Sequence, residues 1–272
     1  MSKTIGLFIS ISLVFQTATS LANDLSATFG GKDCCFIQKE LLTGKTVRRS
    51  HSDLCKERIY ACSTFKVALA VMAFDSGIFI NEESIIKWDG KKHEITAWNR
   101  DHDAKSWLSD SVVWVSQKLT PMLGLPKIHS YLKDFHYGNK DFSGGISHAW
   151  LSSTLKISPE EQVDFLTRLK LRKLNVKDDA VSNTLAIMPI EISKPNIRLI
   201  GKTGSGFSWE DEADKTDSPY RVGWYVGYFS KDSKDYVFAT VFKENTQRGK
   251  RIFGGAEAKQ ITKAILENDA KK

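Results

Sequence analysis

Strand-like segments lie toward both ends of this chain, with a period of two after Pro195, whereas between those ends apolar residues recur at the three-to-four-residue spacing of helices. Near the start, Cys35-Phe36-Ile37 and Thr46-Val47 flank a Thr43-Gly44 turn, which reads as a hairpin. After Pro195, residues 198–201, 222–229 and 236–242 read as strands separated by turn residues, and 256–266 as a closing helix. From about 109 to 185 helical patterns dominate. Ser158-Pro159-Glu160-Glu161 puts Ser at the N-cap, Pro at the first helical position and Glu at the third, and Val163, Phe165, Leu166 and Leu169 follow on one face. Strands from both ends with helices between them predict an α+β architecture: a sheet domain completed by both chain termini, with a helical domain inserted. No repeat, low-complexity tract or long linker divides the 272 residues, so one integrated unit is expected. Ligand sites favour such junctions.

The first residues read differently. Lys3 supplies a positive start, residues 5–15 form a short apolar run, and Ser20-Leu21-Ala22 is a small-x-small cleavage signal, so 1–22 reads as a signal peptide and the mature protein as exported. The run is too short to span a bilayer, and an uncleaved anchor is the lesser reading. Export matters for Cys34, Cys35, Cys55 and Cys62, because disulfides form outside the cytosol. The four allow three pairings, and with no C-x-x-C spacing or histidine partners they predict no metal site. The net charge of +7 is spread along the chain in runs no longer than doublets such as Arg48-Arg49, so no nucleic-acid or membrane partner is predicted; a basic surface would still steer small anionic substrates.

An S-x-x-K pattern places a lysine amine over a serine hydroxyl on one helix face. It occurs four times, at Ser63/Lys66, Ser84/Lys87, Ser130/Lys133 and Ser153/Lys156, and most such pairs in proteins are solvated helix neighbours. Context separates them. Residues 64–72 are strongly apolar and helical, with Ser63 available as N-cap, so Lys66 is expected to point into a core where burial depresses its pKa and lets it act as a base. The other three pairs lie among polar neighbours. Downstream, Lys202-Thr203-Gly204 occurs once, after a strand, and a serine with S-x-x-K followed by K-T-G is the pairing of serine β-lactamases and penicillin-binding proteins. The S-D-N element is absent, and Ser111-Val112-Val113-Trp114 stands in its place, followed by Tyr137-Gly138-Asn139.

These four elements in this order and spacing, with 135–144 and Ala149-Trp150-Leu151, resemble a class D β-lactamase (an oxacillinase) over nearly the whole mature chain. The resemblance implies a β-lactamase/penicillin-binding-protein fold: an antiparallel sheet subdomain from 23–62 and 190–272, flanked by helices, and a helical subdomain from 63–189. It implies hydrolysis of penicillin-type antibiotics, and so resistance to them, by a periplasmic enzyme. Ser63 would attack the β-lactam carbonyl and form an acyl-enzyme. Lys66 would be N-carboxylated by CO2 or bicarbonate and serve as base for acylation and deacylation, with no other cofactor and no metal. Phe65, Val113, Trp150 and Leu151 would surround it, Trp150 donating a hydrogen bond to the carbamate. Ser111 would relay a proton to the ring nitrogen, and Lys202 and Thr203 would hold the substrate carboxylate. Gly204 would allow close substrate approach, and the N–H groups of Ser63 and Ser205 would form the oxyanion hole. Tyr137-Gly138-Asn139 reads as a structural turn near the site.

A Cys35–Cys55 bridge is also implied by the resemblance, with Cys34 and Cys62 outside it. The arginine with which many members hold the carboxylate near the C-terminus has no evident place within 248–259, and the long acidic segment 207–220 is expected to shape the pocket rim. A monomer or weak homodimer is expected, its partner a small-molecule β-lactam and, after signal cleavage, no membrane. The rival readings are a non-hydrolysing penicillin-binding sensor, a D,D-peptidase and, from another class, a basic exported binding protein.

Overall fold

The computed structural model describes residues 25–50, 52–194, 197–211 and 218–268; the signal peptide read over 1–22 lies outside them. The elements follow in chain order. Helix α1 (Ser26–Phe29) leads into the hairpin β1 (Asp33–Glu40) and β2 (Thr46–Arg49), where Gly44 takes φ +67° at the turn. The helical middle opens with β3 (Ile59–Tyr60), α2 (Phe65–Asp75), β4 (Ile85–Ile86), β5 (His102–Asp103) and α3 (Ala104–Ser109). It continues through α4 (Val113–Leu123), α5 (Leu125–Asp134), β6 (Lys156–Ile157), α6 (Pro159–Lys170) and α7 (Asp178–Ile187). The chain then returns as β7 (Ile190–Lys194), β8 (Ile197–Phe207), β9 (Tyr220–Lys231), β10 (Lys234–Asn245) and α8 (Gly255–Asn268).

The main sheet has the order β2-β1-β10-β9-β8-β7 and every neighbour is antiparallel. Strands from both ends of the chain meet where β1 pairs with β10, from Asp33↔Lys243 to Glu40↔Tyr236. Alternation along these strands divides the core in two. Cys34, Phe36, Tyr225, Phe229, Phe238 and Phe242 pack under α1 and α8, while Cys35, Ile37, Trp224, Val226, Val237, Ala239 and Val241 face the helical middle. Helix α6 packs on that second face, and behind it lies α2 against α7 and α4, with every residue from Phe65 to Phe74 buried. A helix apolar on all sides can only sit inside the molecule, and Lys66 goes in with it.

Helix α6 starts as its sequence demands: Ser158 Oγ accepts from Glu161 N, and the Glu161 carboxylate accepts from Ser158 N. Three expectations change. Strand β7 precedes Pro195, although its Ile190 and Ile192 are exposed and gave no sign of burial. Strands β8–β10 run well past their apolar cores, because sheet pairing carries polar residues along with them. Between 135 and 157, where a helical pattern was expected, the described backbone is mostly turn. Among the described residues no helix is long and apolar enough to cross a membrane.

Candidate active site

Ser63 sits in a 3-10 turn, Cys62–Thr64, that runs into α2. It is not the N-cap of that helix. Thr64 holds the cap position, its hydroxyl donating to Ala61 O and accepting from Gln162 Nε2 at 2.7 Å, so the Ser63 hydroxyl is left free for chemistry. Cys62 takes φ +50°, a left-handed conformation that a non-glycine residue keeps only where its surroundings force it. Lys66, one turn on, brings Nζ to 3.1 Å from Ser63 Oγ. Its side chain is wholly buried. Burial and, after it, the charge of Lys202 hold its ammonium well below the usual lysine range, against a smaller opposing effect of Cys62. The other three S-x-x-K pairs lie on partly or fully exposed positions: Lys87 pairs with Asp101, Lys156 with Asp211, and Ser84 caps a turn at Ile80 and Asn81.

Ser111 lies at the break between α3 and α4, at φ +57°. Its hydroxyl accepts a hydrogen bond of 3.0 Å from Lys202 Nζ, which also donates to Thr203 O at 2.8 Å. Lys202 is buried too, and burial, with a lesser push from the charge of Lys259, lowers its ammonium to about 7. Beyond Gly201, strand β8 has no β7 partner. Gly201 N–H points to the β7 side, donating to Pro189 O; with a strand period of two, the N–H groups of Thr203 and Ser205 point the same way, out of the open edge.

Gly204 and Gly206 have another use than the close substrate approach expected of Gly204. A Cβ on Gly204 would lie 3.1 Å from Thr64 Cγ2 and 3.3 Å from Cys62 Cβ, and one on Gly206 would lie 2.6 Å from Cys62 Sγ. The glycines let β8 lie directly on the turn that carries Ser63.

Phe65 and Trp150 are fully buried and face each other at 5.5 Å between ring centres, joined by Phe142 at 5.7 Å from Phe65. Leu151 packs at the edge of this core, and Val113 is half-buried at the start of α4. Trp150 Nε1 is buried without a hydrogen-bond partner among the described residues, a costly state for a donor unless something else fills it. The 150 loop is fastened by Asn139: its amide oxygen accepts from Lys156 N and Asp141 N, and its amide nitrogen donates to Thr154 O at 2.7 Å. Gly138, at φ +52°, lies so close to Lys156 O that a Cβ would be 2.0 Å away. Tyr137-Gly138-Asn139 is thus a turn that shapes the site from outside.

Sequence reasoning missed Gln162, which grips Thr64 from α6, and Ser152, whose hydroxyl accepts from Phe207 N at the end of β8. These polar groups touch the site only through the fold. The disulfide joins Cys35 and Cys55, while Cys34 and Cys62 are free and buried. At the rim, Phe207 stacks with Trp209 and Phe253; part of the acidic 207–220 segment lies outside the described residues. Among the described residues no group of three His, Cys, Asp or Glu could hold a metal ion.

Comparison with known proteins agrees with this geometry. The penicillin binding protein transpeptidase domain matches residues 37–267. Beta-lactamase OXA-1 of Escherichia coli is 37% identical over 96% of this chain and 95% of its own. The solved structure of class D beta-lactamase BAT-2 superposes with a TM-score of 0.79 at 30% identity, covering 93% of this chain and 98% of that one. Regulatory protein BlaR1 of Bacillus licheniformis is 33% identical over 77% of this chain, which spans only 32% of BlaR1.

Proposed function

The chain belongs to the class D β-lactamases and hydrolyses β-lactams, and from that premise we propose that Ser63 is its nucleophile and Lys66 the base for both halves of the reaction. One observation carries the assignment: a lysine with no exposed surface, its nitrogen 3.1 Å from a serine hydroxyl. Buried, and with no carboxylate partner among the described residues, Lys66 is held toward its neutral form, the only form of an amine that reacts with CO2. The unpartnered indole N–H of Trp150, against Phe65, is a donor suited to the carbamate that would result. Carboxylated, Lys66 would hold a base able to take the Ser63 proton and later that of the hydrolytic water.

The remaining roles are those that the family resemblance implies. Ser63 Oγ attacks the lactam carbonyl carbon while the N–H groups of Ser63 and Ser205 hold the developing oxyanion. The C–N bond breaks, and Ser111 passes a proton to the ring nitrogen, with Lys202 Nζ hydrogen-bonded to the Ser111 hydroxyl. Lys202 and Thr203 hold the substrate carboxylate. The site lies where a sheet subdomain, 23–62 and 190–272, meets a helical one, 63–189. The chain is read as exported to the periplasm behind a signal peptide over 1–22, a reading that the Cys35–Cys55 bridge supports.

The test is hydrolysis of a chromogenic β-lactam by purified mature protein at low concentration, with and without bicarbonate. Many turnovers that rise with bicarbonate are expected. A single stoichiometric burst that bicarbonate does not rescue would make Ser63 the acylation site of a sensor instead.

A further inference from the structure

A cavity of about 300 Å3 opens beside the K-T-G strand and reaches beyond the residues assigned so far. Ser109, Lys202, Thr203 and Tyr225 line it together with Glu191 of β7 and Lys259 of α8. Lys259 Nζ pairs with Glu191 Oε2 at 2.9 Å, and the other oxygen of the same carboxylate receives Lys263. One carboxylate therefore faces two ammonium groups, which leaves this wall with an excess of positive charge. That charge is felt at Lys202, where it adds to burial in lowering the ammonium. Two lysines across one cavity repel each other, and an anion between them turns that repulsion into attraction.

Two of the later arginines are committed elsewhere, and the third, Arg248, is exposed. Arg251 pairs with Glu210, and Arg221 with Glu244 and Glu257. At the start of α8 the residue against Thr203 is Gly255, where a Cβ would lie 2.9 Å from Thr203 Cβ. A long side chain has no room there. The cation that does line the cavity is one turn further along the helix.

We propose that Lys259 is a second cation for the β-lactam carboxylate, facing it from α8 while Lys202 and Thr203 hold it from β8, with Glu191 setting how much of the Lys259 charge the substrate meets. This rests on the hydrolase reading above and names a specificity-determining residue within it. No covalent step is involved.

The experiment measures kcat and KM for a penicillin and for its methyl ester in the wild type and in Lys259→Met, Lys259→Arg and Glu191→Gln, with melting curves to check folding. Lys259→Met should raise KM for the acid about tenfold, the size of one hydrogen bond to a charged group, and leave kcat within about twofold. Its KM for the ester should not move, and Lys259→Arg should restore the acid. Glu191→Gln should lower KM for the acid, because it removes the competing carboxylate. An unchanged KM in Lys259→Met, an equal rise for acid and ester, or a shift in the same direction in Lys259→Met and Glu191→Gln would overturn the assignment. Should Lys259→Met fail to fold, the Arg and Gln variants decide it. If the wild type acylates without turnover, the hydrolase reading fails while the acylation constants of the variants still report on Lys259.

Discussion

The buried ammonium of Lys202 donates a 3.0 Å hydrogen bond to the hydroxyl of Ser111, 91 residues away and held at φ +57°. This bond joins sheet to helical middle across the cleft. The left-handed backbone at Ser111 is a local cost, and it aims the hydroxyl at Lys202 Nζ.

Lys202 gives the enzyme an alkaline limit. Burial lowers its ammonium to about 7 in the fold, and in the proposed mechanism it is the charged form that holds the substrate carboxylate. The pH profile of kcat/KM should therefore fall as pH rises through about 7, and Lys202→Arg should move that limb upward. Stability runs the other way. The unfolded chain keeps this proton into the usual lysine range, so the fold is penalised below about 7 and gains stability as pH climbs above it. Denaturant melts between pH 6 and 9 would check the sign.

Lys66 is held low for the same physical reason, and replacing it should separate function from stability. Lys66→Met keeps the buried stem and removes the amine. Turnover should drop by at least about 100-fold, the usual worth of a general base, while Tm rises because the cost of burying an amine away from its charged form is removed. A variant that lost both activity and stability would show that the amine is structurally required.

Which parts could be read from sequence depended on how far apart the interacting residues lie. Ser63 and Lys66 are one turn apart, so their contact was legible, and so was the Ser158/Glu161 capping box. The burial of Lys66 was legible too, since α2 has no polar face to turn outward. Strand β7 was not, because the alternating run Ile190-Glu191-Ile192-Ser193 is short and lies between Pro189 and Pro195, and its isoleucines stay exposed at the sheet edge. The bond from Gln162 to Thr64 spans 98 positions and no local pattern announces it. Gly204 was read as a point of close substrate approach, and its packing on the Cys62–Thr64 turn had no local signal. The cysteines by spacing alone left three pairings open; the Cys35–Cys55 pair came from the family resemblance, and the bridge is present.

The indole of Trp150 offers a test that does not depend on the serine. Trp150→Phe keeps the ring stack on Phe65 and deletes the lone N–H. Activity should fall about 10–100-fold, and the bicarbonate concentration for half-maximal rate should rise, since the carbamate loses a charge-assisted hydrogen bond. A fall in activity with unchanged bicarbonate dependence would assign the indole to packing alone. Asn139→Ala, which loosens the same loop from outside, should shift the bicarbonate requirement in the same direction with a smaller loss of rate.

The disulfide should matter for stability and hardly at all for catalysis. Cys35 lies in β1 and Cys55 in the short turn before β3, both fully buried, and their bond closes a loop of 20 residues in sequence separation. Closing such a loop removes conformations mainly from the unfolded chain, an effect of about 3 kcal/mol. The double variant Cys35→Ala/Cys55→Ala should lose about 6–12 °C in Tm for a protein of this size, with kcat/KM at 20 °C within about twofold of wild type. Burial also shields the sulfurs, so a reductant should leave the native Tm unchanged until unfolding exposes the bond. A reductant that lowers Tm without prior unfolding would show that the region around β1 opens on its own.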